Sequence, residues 1–300
     1  MSGRTGILLG LAICFASLPA TARLRVVGTL PDFAAIATEI GGDRVHAESL
    51  IRGTQDPHYV DAKPSMILRV NRADLLICIG MGLEDGWLPV LMTQSRNGEI
   101  QVGQPGYLDA STVIAPMEVP VNPDRTMGDV HGAGNPHYYT SPREMFQVAE
   151  AIYRRLVQLD PEGRRHYETG WKAFEQKYRE KMTSWKSRLS SFEGFRVIVY
   201  HESWIYMLEW SGLKKVGALE PVPGIPPNPR HVTKVLNKVR ELDVGFVIQE
   251  IYHPTNLSKI FATKAKARLV ILPSMVGAEP AIKTISDKFD RIIKLLTEAG

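Results

Sequence analysis

Between Pro161 and Phe192 the residues Tyr167, Trp171, Phe174, Tyr178, Met182, Trp185 and Leu189 follow one another at intervals of 4, 3, 4, 4, 3 and 4. Apolar side chains at that spacing share one stripe of an α-helix, so the spacing predicts a single rigid helix over 161–193. At about 1.5 Å per residue it would run roughly 45 Å, long enough to touch two separate bodies. The flanking sequence fits that division. Short β-rich runs at Leu24 to Thr29, Ala47 to Ile51 and Asp74 to Ile79 alternate with helical patterns at Asp32 to Ile40, Pro64 to Asn71 and Glu84 to Thr93. The alternation returns after the rod, with strands expected at Arg196 to Tyr200, Lys215 to Leu219, Val244 to Gln249 and Arg268 to Leu272. Strands separated by helices build parallel sheets covered on both faces. The expected fold class is therefore α/β: two lobes, 23–160 and 194–300, each a mainly parallel helix-covered sheet with its own core, joined by the long rigid helix as a strut.

Residues 1–22 read as a leader. Arg4 precedes an apolar run from Ile7 to Leu18, and Ala20-Thr21-Ala22 offers a small-residue cleavage site before Arg23. The run is shorter than the ~20 residues that span a bilayer, so the layout is that of a signal peptide, and export to the periplasm with cleavage near Ala22 is expected. Cys14 falls inside this leader, where Ile13 lacks the small size wanted before a lipid-modified cysteine, and Cys78 is then alone, which excludes an intrachain disulfide. Cys78 lies in the run Leu75-Leu76-Ile77-Cys78-Ile79 and reads as strand packing. The formal charge of +4 falls to +3 without Arg4 and is spread along the chain, so no nucleic-acid partner is expected. The mature protein is expected to be a monomer.

Three histidines stand on comparable turns: Asp56-Pro57-His58, Asn135-Pro136-His137 and Tyr200-His201-Glu202. Proline before His58 and His137 fixes φ and limits how far each loop wanders. His201 follows a predicted strand, and ligands of open α/β sheets gather beyond the carboxyl ends of strands. Pro142 suits the first turn of a helix, with Ser141 as N-cap and Glu144 completing a capping box, which places His137 just before a rigid helix start. Three neutral imidazoles drawn from both halves point to one metal site in an interlobe cleft. Zn²⁺ accepts such a set at about 2.0 to 2.1 Å, whereas Mn²⁺ prefers more carboxylate oxygen. The donor set leans to Zn²⁺ and leaves Mn²⁺ and Fe²⁺ open. His46, His166 and His231 sit on polar helical or turn patterns and read as surface residues.

The sequence around these turns resembles the zinc and manganese solute-binding proteins of bacterial ABC transporters over nearly the whole mature chain. The resemblance is carried by Asp56-Pro57-His58, Arg72-Ala73-Asp74-Leu75-Leu76-Ile77, Gly82-Leu83-Glu84-Asp85-Gly86-Trp87-Leu88, Asn135-Pro136-His137-Tyr138-Tyr139 and Tyr200-His201-Glu202-Ser203-Trp204. It implies two α/β lobes joined by a long helix, a metal in the cleft, and delivery to a membrane permease, with His58, His137 and His201 as the first three ligands. Manganese members carry glutamate at the third position, so His201 places this chain nearer the zinc members. Many relatives have a late aspartate ligand where this chain reads Leu272-Pro273-Ser274-Met275-Val276-Gly277. The fourth ligand is then open among Glu250 at the end of a predicted strand, His253 shortly after it, and water. The loop before His137, often histidine-rich in zinc members, offers only Asp129 and His131, either a weak capture point or a solvated loop. Tyr59, Tyr138, Tyr139 and Trp204 are expected as dry walls of the cleft, and Glu84, Asp85 and Glu202 at its rim, facing basic permease loops.

The expected function is a periplasmic carrier that binds Zn²⁺ through His58, His137, His201 and Glu250 and passes it to an ABC transporter permease, with no chemistry beyond ligand exchange. Manganese or iron carriage is the alternative within that class. A mononuclear zinc hydrolase is the rival, because three histidines and a water also make a catalytic site, with Glu202 or Glu250 as base. The chain has no His-Glu-x-x-His helix and no recognisable oxyanion motif, so it is not expected to be an enzyme.

Overall fold

A computed structural model of the protein describes residues 23–121, 131–222 and 224–299. The expected leader, with Cys14, and Asp129 lie outside the described residues. Two all-parallel sheets with the same winding organise the chain. In the first, β1 (Leu24–Gly28) is flanked by β2 (Val45–Ser49) and β3 (Leu75–Cys78), and β4 (Tyr107–Asp109) extends the far edge, giving the order β2-β1-β3-β4. In the second, β5 (Arg196–Val199), β6 (Lys214–Ala218), β7 (Val244–Glu250) and β8 (Arg268–Leu272) run in the order β6-β5-β7-β8. In each lobe the chain leaves the first strand to one side and returns on the other, which makes the carboxyl ends of β1 and β5 the switch points where ligands of such sheets gather. The three-residue β4 is too short to announce itself by periodicity. Cys78 ends β3, buried as expected, and burial pushes its thiol up.

Proline opens most of the early helices, because its fixed φ suits the first turn and its missing N–H costs nothing there. It stands within the first two positions of α1 (Pro31–Gly41), α2 (Pro64–Asn71), α3 (Leu88–Ser95) and α4 (Pro142–Leu159). α3 starts later than the sequence suggests because Glu84 is occupied elsewhere: its carboxylate accepts from Ile79 N (2.7 Å), Gly80 N (3.1 Å) and the Thr29 hydroxyl (2.6 Å), stapling the turn after β3. The expected capping box of α4 does not form. Ser141 takes the extended N-cap backbone without a cap hydrogen bond, and Glu144 accepts instead from Arg143 Nε at 2.7 Å.

The predicted rod is α5 (Arg164–Leu189), flanked by 3-10 turns Pro161–Gly163 and Ser190–Phe192. Of its stripe, Tyr167, Phe174, Tyr178, Trp185 and Leu189 are buried, against α1, α4 and the C-terminal helix. Gly170 permits the crossing, since a Cβ there would lie 2.1 Å from the Ile40 carbonyl oxygen. The remaining helices are α6 (Ile205–Ser211), α7 (Pro229–Arg240), α8 (Asn256–Ala265) and α9 (Ile285–Ala299). Among the described residues no helix is long and apolar enough to cross a membrane.

The cores are separate only in part, because the second lobe keeps one of its own while a larger one is shared. One apolar cluster runs from Val26, Phe33 and Leu76 of the first lobe through Tyr178 and Trp185 to Trp204, Phe246 and Phe289, and a smaller one around Ile198, Leu219 and Phe261 lies elsewhere in the second lobe. The cause is α9, which returns from the second lobe to pack on α5 and α1. Lys288 on α9 is fully buried, donating to Asp32 Oδ1 of α1 at 2.5 Å and to the Tyr139 carbonyl at 2.7 Å, while Asp32 Oδ2 accepts from Val276 N at 3.0 Å. The loop leading to His58 closes on the same side: a Cβ at Gly53 would fall 2.1 Å from the Val276 carbonyl oxygen.

Candidate metal centre

Two of the three predicted histidines are held by the same local device. In Asp56-Pro57-His58, Asp56 Oδ1 accepts from the His58 backbone N–H at 3.0 Å and lies 2.7 Å from His58 Nδ1. In Asn135-Pro136-His137, Asn135 Oδ1 accepts from the His137 N–H at 3.0 Å and lies 2.9 Å from its Nδ1. A short acidic or amide side chain turning onto the backbone two residues later is the Asx turn. Here the same oxygen also fixes the ring, so Nδ1 keeps its proton and Nε2 offers a lone pair. His201, just beyond β5, gets the same treatment from a distance, with Nδ1 2.6 Å from Glu220 Oε2.

The three rings converge. Their centroids lie 5.0 Å (His58 to His137), 5.3 Å (His58 to His201) and 5.0 Å (His137 to His201) apart. One ligating atom from each falls within 4.8 Å of the other two, and all three Nε2 atoms are buried without a hydrogen-bond partner. A tetrahedral cation bonded at about 2.0 to 2.1 Å would set the nitrogens roughly 3.3 Å apart. Burial and the neighbouring imidazoles hold His137 well below the usual histidine range. Burial acts the same way on His201, but the Glu220 hydrogen bond and the fields of Glu250, Glu220 and Asp56 outweigh it and raise that group.

Glu250 ends β7 with no exposure and no hydrogen-bond partner on either oxygen, and it stands outside the group of three. Its Oε2 lies 3.5 Å from Nε2 of His253. Burial pushes Glu250 up to about 7, with the nearby His201 pulling partly back, and burial pulls His253 down to about 4. The His253 ring packs on Tyr200 (4.5 Å) and lies 6.1 Å from His201. His131 also comes close, 5.7 Å from His58 and 6.3 Å from His137 by ring centroid.

A cleft of about 750 Å³ leads out from His58 past Asp61, Asp85, Trp87 and His131. Tyr138, Tyr139 and Trp204 are fully buried and do not line this cleft, whereas Tyr59 lines it and is 63% exposed. The rim assignment fails for Glu84, which is buried under the turn it staples; Asp85 is exposed, and Glu202 is paired with Lys215 at 2.5 Å. His46 and His166 are exposed, and His231 is half-buried with Nε2 3.0 Å from the Ala218 carbonyl. Glu220 has no counterpart in the sequence argument, because no local motif ties it to a histidine turn, whereas His253, one of the open choices for the fourth ligand, does lie beside Glu250 and His201.

Comparison with known proteins gives a consistent picture. The profile of the family described as "Zinc-uptake complex component A periplasmic" (ZnuA) matches residues 26–299. The manganese ABC transporter substrate-binding lipoprotein scaA of Streptococcus gordonii is 27% identical over 183 residues, 59% of this chain and 54% of that protein, so the chain spans about half the length of this relative. The high-affinity zinc uptake system protein ZnuA of Yersinia pestis is 22% identical over 72% of each chain. The iron-binding protein YfeA of Yersinia pestis is 26% identical over 79% of this chain and 76% of its own. None of these names describes an enzyme. Among solved structures, a crystal structure of ZnuA superposes with a TM-score of 0.76 at 23% identity, covering 92% of this chain and 98% of that one. A cadmium-bound periplasmic metal-binding protein from Candidatus Liberibacter asiaticus gives 0.76 at 20% identity, covering 92% and 99%. These structural likenesses are likenesses of fold.

Proposed function

The chain belongs to the family of the periplasmic component A of zinc-uptake complexes, and from that membership we propose that it captures Zn²⁺ in the interlobe cleft and hands it to the membrane permease of an ABC transporter. The observation that carries this reading is the convergence of His58, His137 and His201, with one ligating atom of each within 4.8 Å of the others, every Nε2 buried and unpartnered, and every Nδ1 already held. Relatives are named for manganese, zinc and iron. An imidazole-only trio favours Zn²⁺ over the harder Mn²⁺. Glu250 is the fourth ligand in this reading: a buried carboxylate without partners gains most from a neighbouring dication, and it swings onto the metal from outside the trio. The protein works as an exported monomer, cleaved near Ala22, and its task is ligand exchange.

Competitive titration of the metal-free mature protein tests this. One equivalent of Zn²⁺ should bind more tightly than Mn²⁺, and His58→Ala, His137→Ala and His201→Ala should each weaken zinc binding by orders of magnitude. Protons compete for the same Nε2 lone pairs, so affinity should fall steeply below about pH 6. Preference for Mn²⁺, or an affinity flat between about pH 7 and pH 5, would overturn the zinc assignment.

A further inference from the structure

We propose that Glu220 is the positioning residue for His201, and that its hold on that ring sets how long the bound cation stays. The inference rests on the carrier reading and adds to it the residue that governs release. Asp56 and Asn135 each orient a histidine two residues away within a proline-stiffened turn, so those two rings are fixed by local chain geometry. His201 has no such turn. Its Nδ1 is held by a carboxylate 19 residues further on, brought alongside because Leu219 N donates to the Val199 carbonyl (2.9 Å) and Glu220 N to the Tyr200 carbonyl (3.0 Å), continuing the β5–β6 pairing past the end of the strands. The Glu220 side chain is 9% exposed, and the bond to His201 is 2.6 Å.

The same Glu220 Oε2 also accepts from Gly224 N at 3.4 Å, next to Ile225, which is 42% exposed. One oxygen therefore joins the third histidine to a surface loop of the second lobe. A displacement of that loop draws the carboxylate away and leaves His201 free to turn off the metal, while His58 and His137 stay where their own turns keep them. Hydrogen-bond partners of this kind commonly carry 10- to 100-fold in metal affinity.

The test is zinc affinity by competitive titration, and zinc release to a chelator by stopped flow, for Glu220→Gln, Glu220→Asp and Glu220→Ala, each with and without His201→Ala. Glutamine keeps an acceptor at the same reach without the charge; aspartate keeps the charge one methylene short. Positioning predicts that Gln stays near the parent, that Asp and Ala weaken binding about 10- to 100-fold with faster release, and that none of the three changes affinity further once His201 is alanine. Asp behaving like the parent while Gln fails would overturn the proposal in favour of simple charge attraction. Equal losses with and without His201 would overturn it as well. Unfolding of the Ala variant does not remove the test, because the Gln and Asp comparison decides it. A parent protein that binds no zinc sinks the carrier reading, whereas a parent that binds with the opposite Gln and Asp pattern sinks this inference alone.

Discussion

A carboxyl group with neither exposure nor a hydrogen-bond partner is costly to ionise, and Glu250 is in that position in the metal-free protein. Burial raises it from 4.5 to about 7, so between those values the folded chain keeps a proton that the unfolded chain has released. Its favourable contribution is therefore present below about pH 4.5 and is lost as pH rises through about 7. Chelator-treated Glu250→Gln should be more stable than the parent at pH 8 by up to about 3 kcal/mol in urea unfolding, and the gap should close near pH 4.5. The opposing slope from His137 is common to both proteins and cancels in the difference. A gap that does not change with pH would place the cost of Glu250 somewhere other than its charge. His58 and His137 were legible because each stands on a proline turn, and His201 because it follows directly on a strand. Glu84 was misjudged as a rim charge since nothing in Gly82-Leu83-Glu84-Asp85 tells the inward acid from the outward one; only the N–H groups of Ile79 and Gly80 select it.

At the scale of an element, the Asn135 turn is a joint between lobes as well as a histidine holder. Asn135 Oδ1 binds His137 twice, its Nδ2 donates to the Glu202 carbonyl at 2.8 Å, and its own carbonyl accepts from the Tyr206 hydroxyl at 2.7 Å. Asn135→Ala removes these side-chain bonds, together with one from Nδ2 to Glu118 Oε2 at 3.3 Å, and leaves buried groups unmatched, so a stability loss of about 1 to 3 kcal/mol is expected. Zinc affinity should fall about 10- to 100-fold at the same time, because the His137 ring loses its guide. Asn135→Asp keeps the oxygen and should retain most of the affinity; equal damage from both would argue that the amide N–H to Glu202, and not ring orientation, is what matters. Periodicity recovered α5 and most strands because those elements bury a regular face. It failed for β4, which is too short to show one, and for the capping box, where the competing Arg143 contact is invisible in a Ser-x-x-Glu pattern.

For the molecule as a whole, the shared core and the Lys288 cluster oppose a wide opening of the lobes, which suits the carrier role proposed above only if it needs small lobe motions. Two βα rhythms imply two separate cores, and the return of α9 across α5 is not legible from its own amphipathic face, which fits any partner equally well. Lys288 is the sharpest probe of this arrangement. Burial lowers its amine and Asp32 pulls it partly back up, so the pair exists only because each ion has the other. Lys288→Met strands the Asp32 carboxylate in the core and should cost about 3 to 5 kcal/mol in urea unfolding. Lys288→Met with Asp32→Leu removes both charges and should recover part of that loss, though not all, because the Tyr139 carbonyl and Val276 N–H lose their partners. If the cluster also limits lobe motion, small-angle scattering should show a larger difference between zinc-bound and metal-free forms in the paired variant than in the parent. A double variant as damaged as the single one, with unchanged scattering, would mean that apolar packing around α9 holds the lobes and the ion pair is incidental to it.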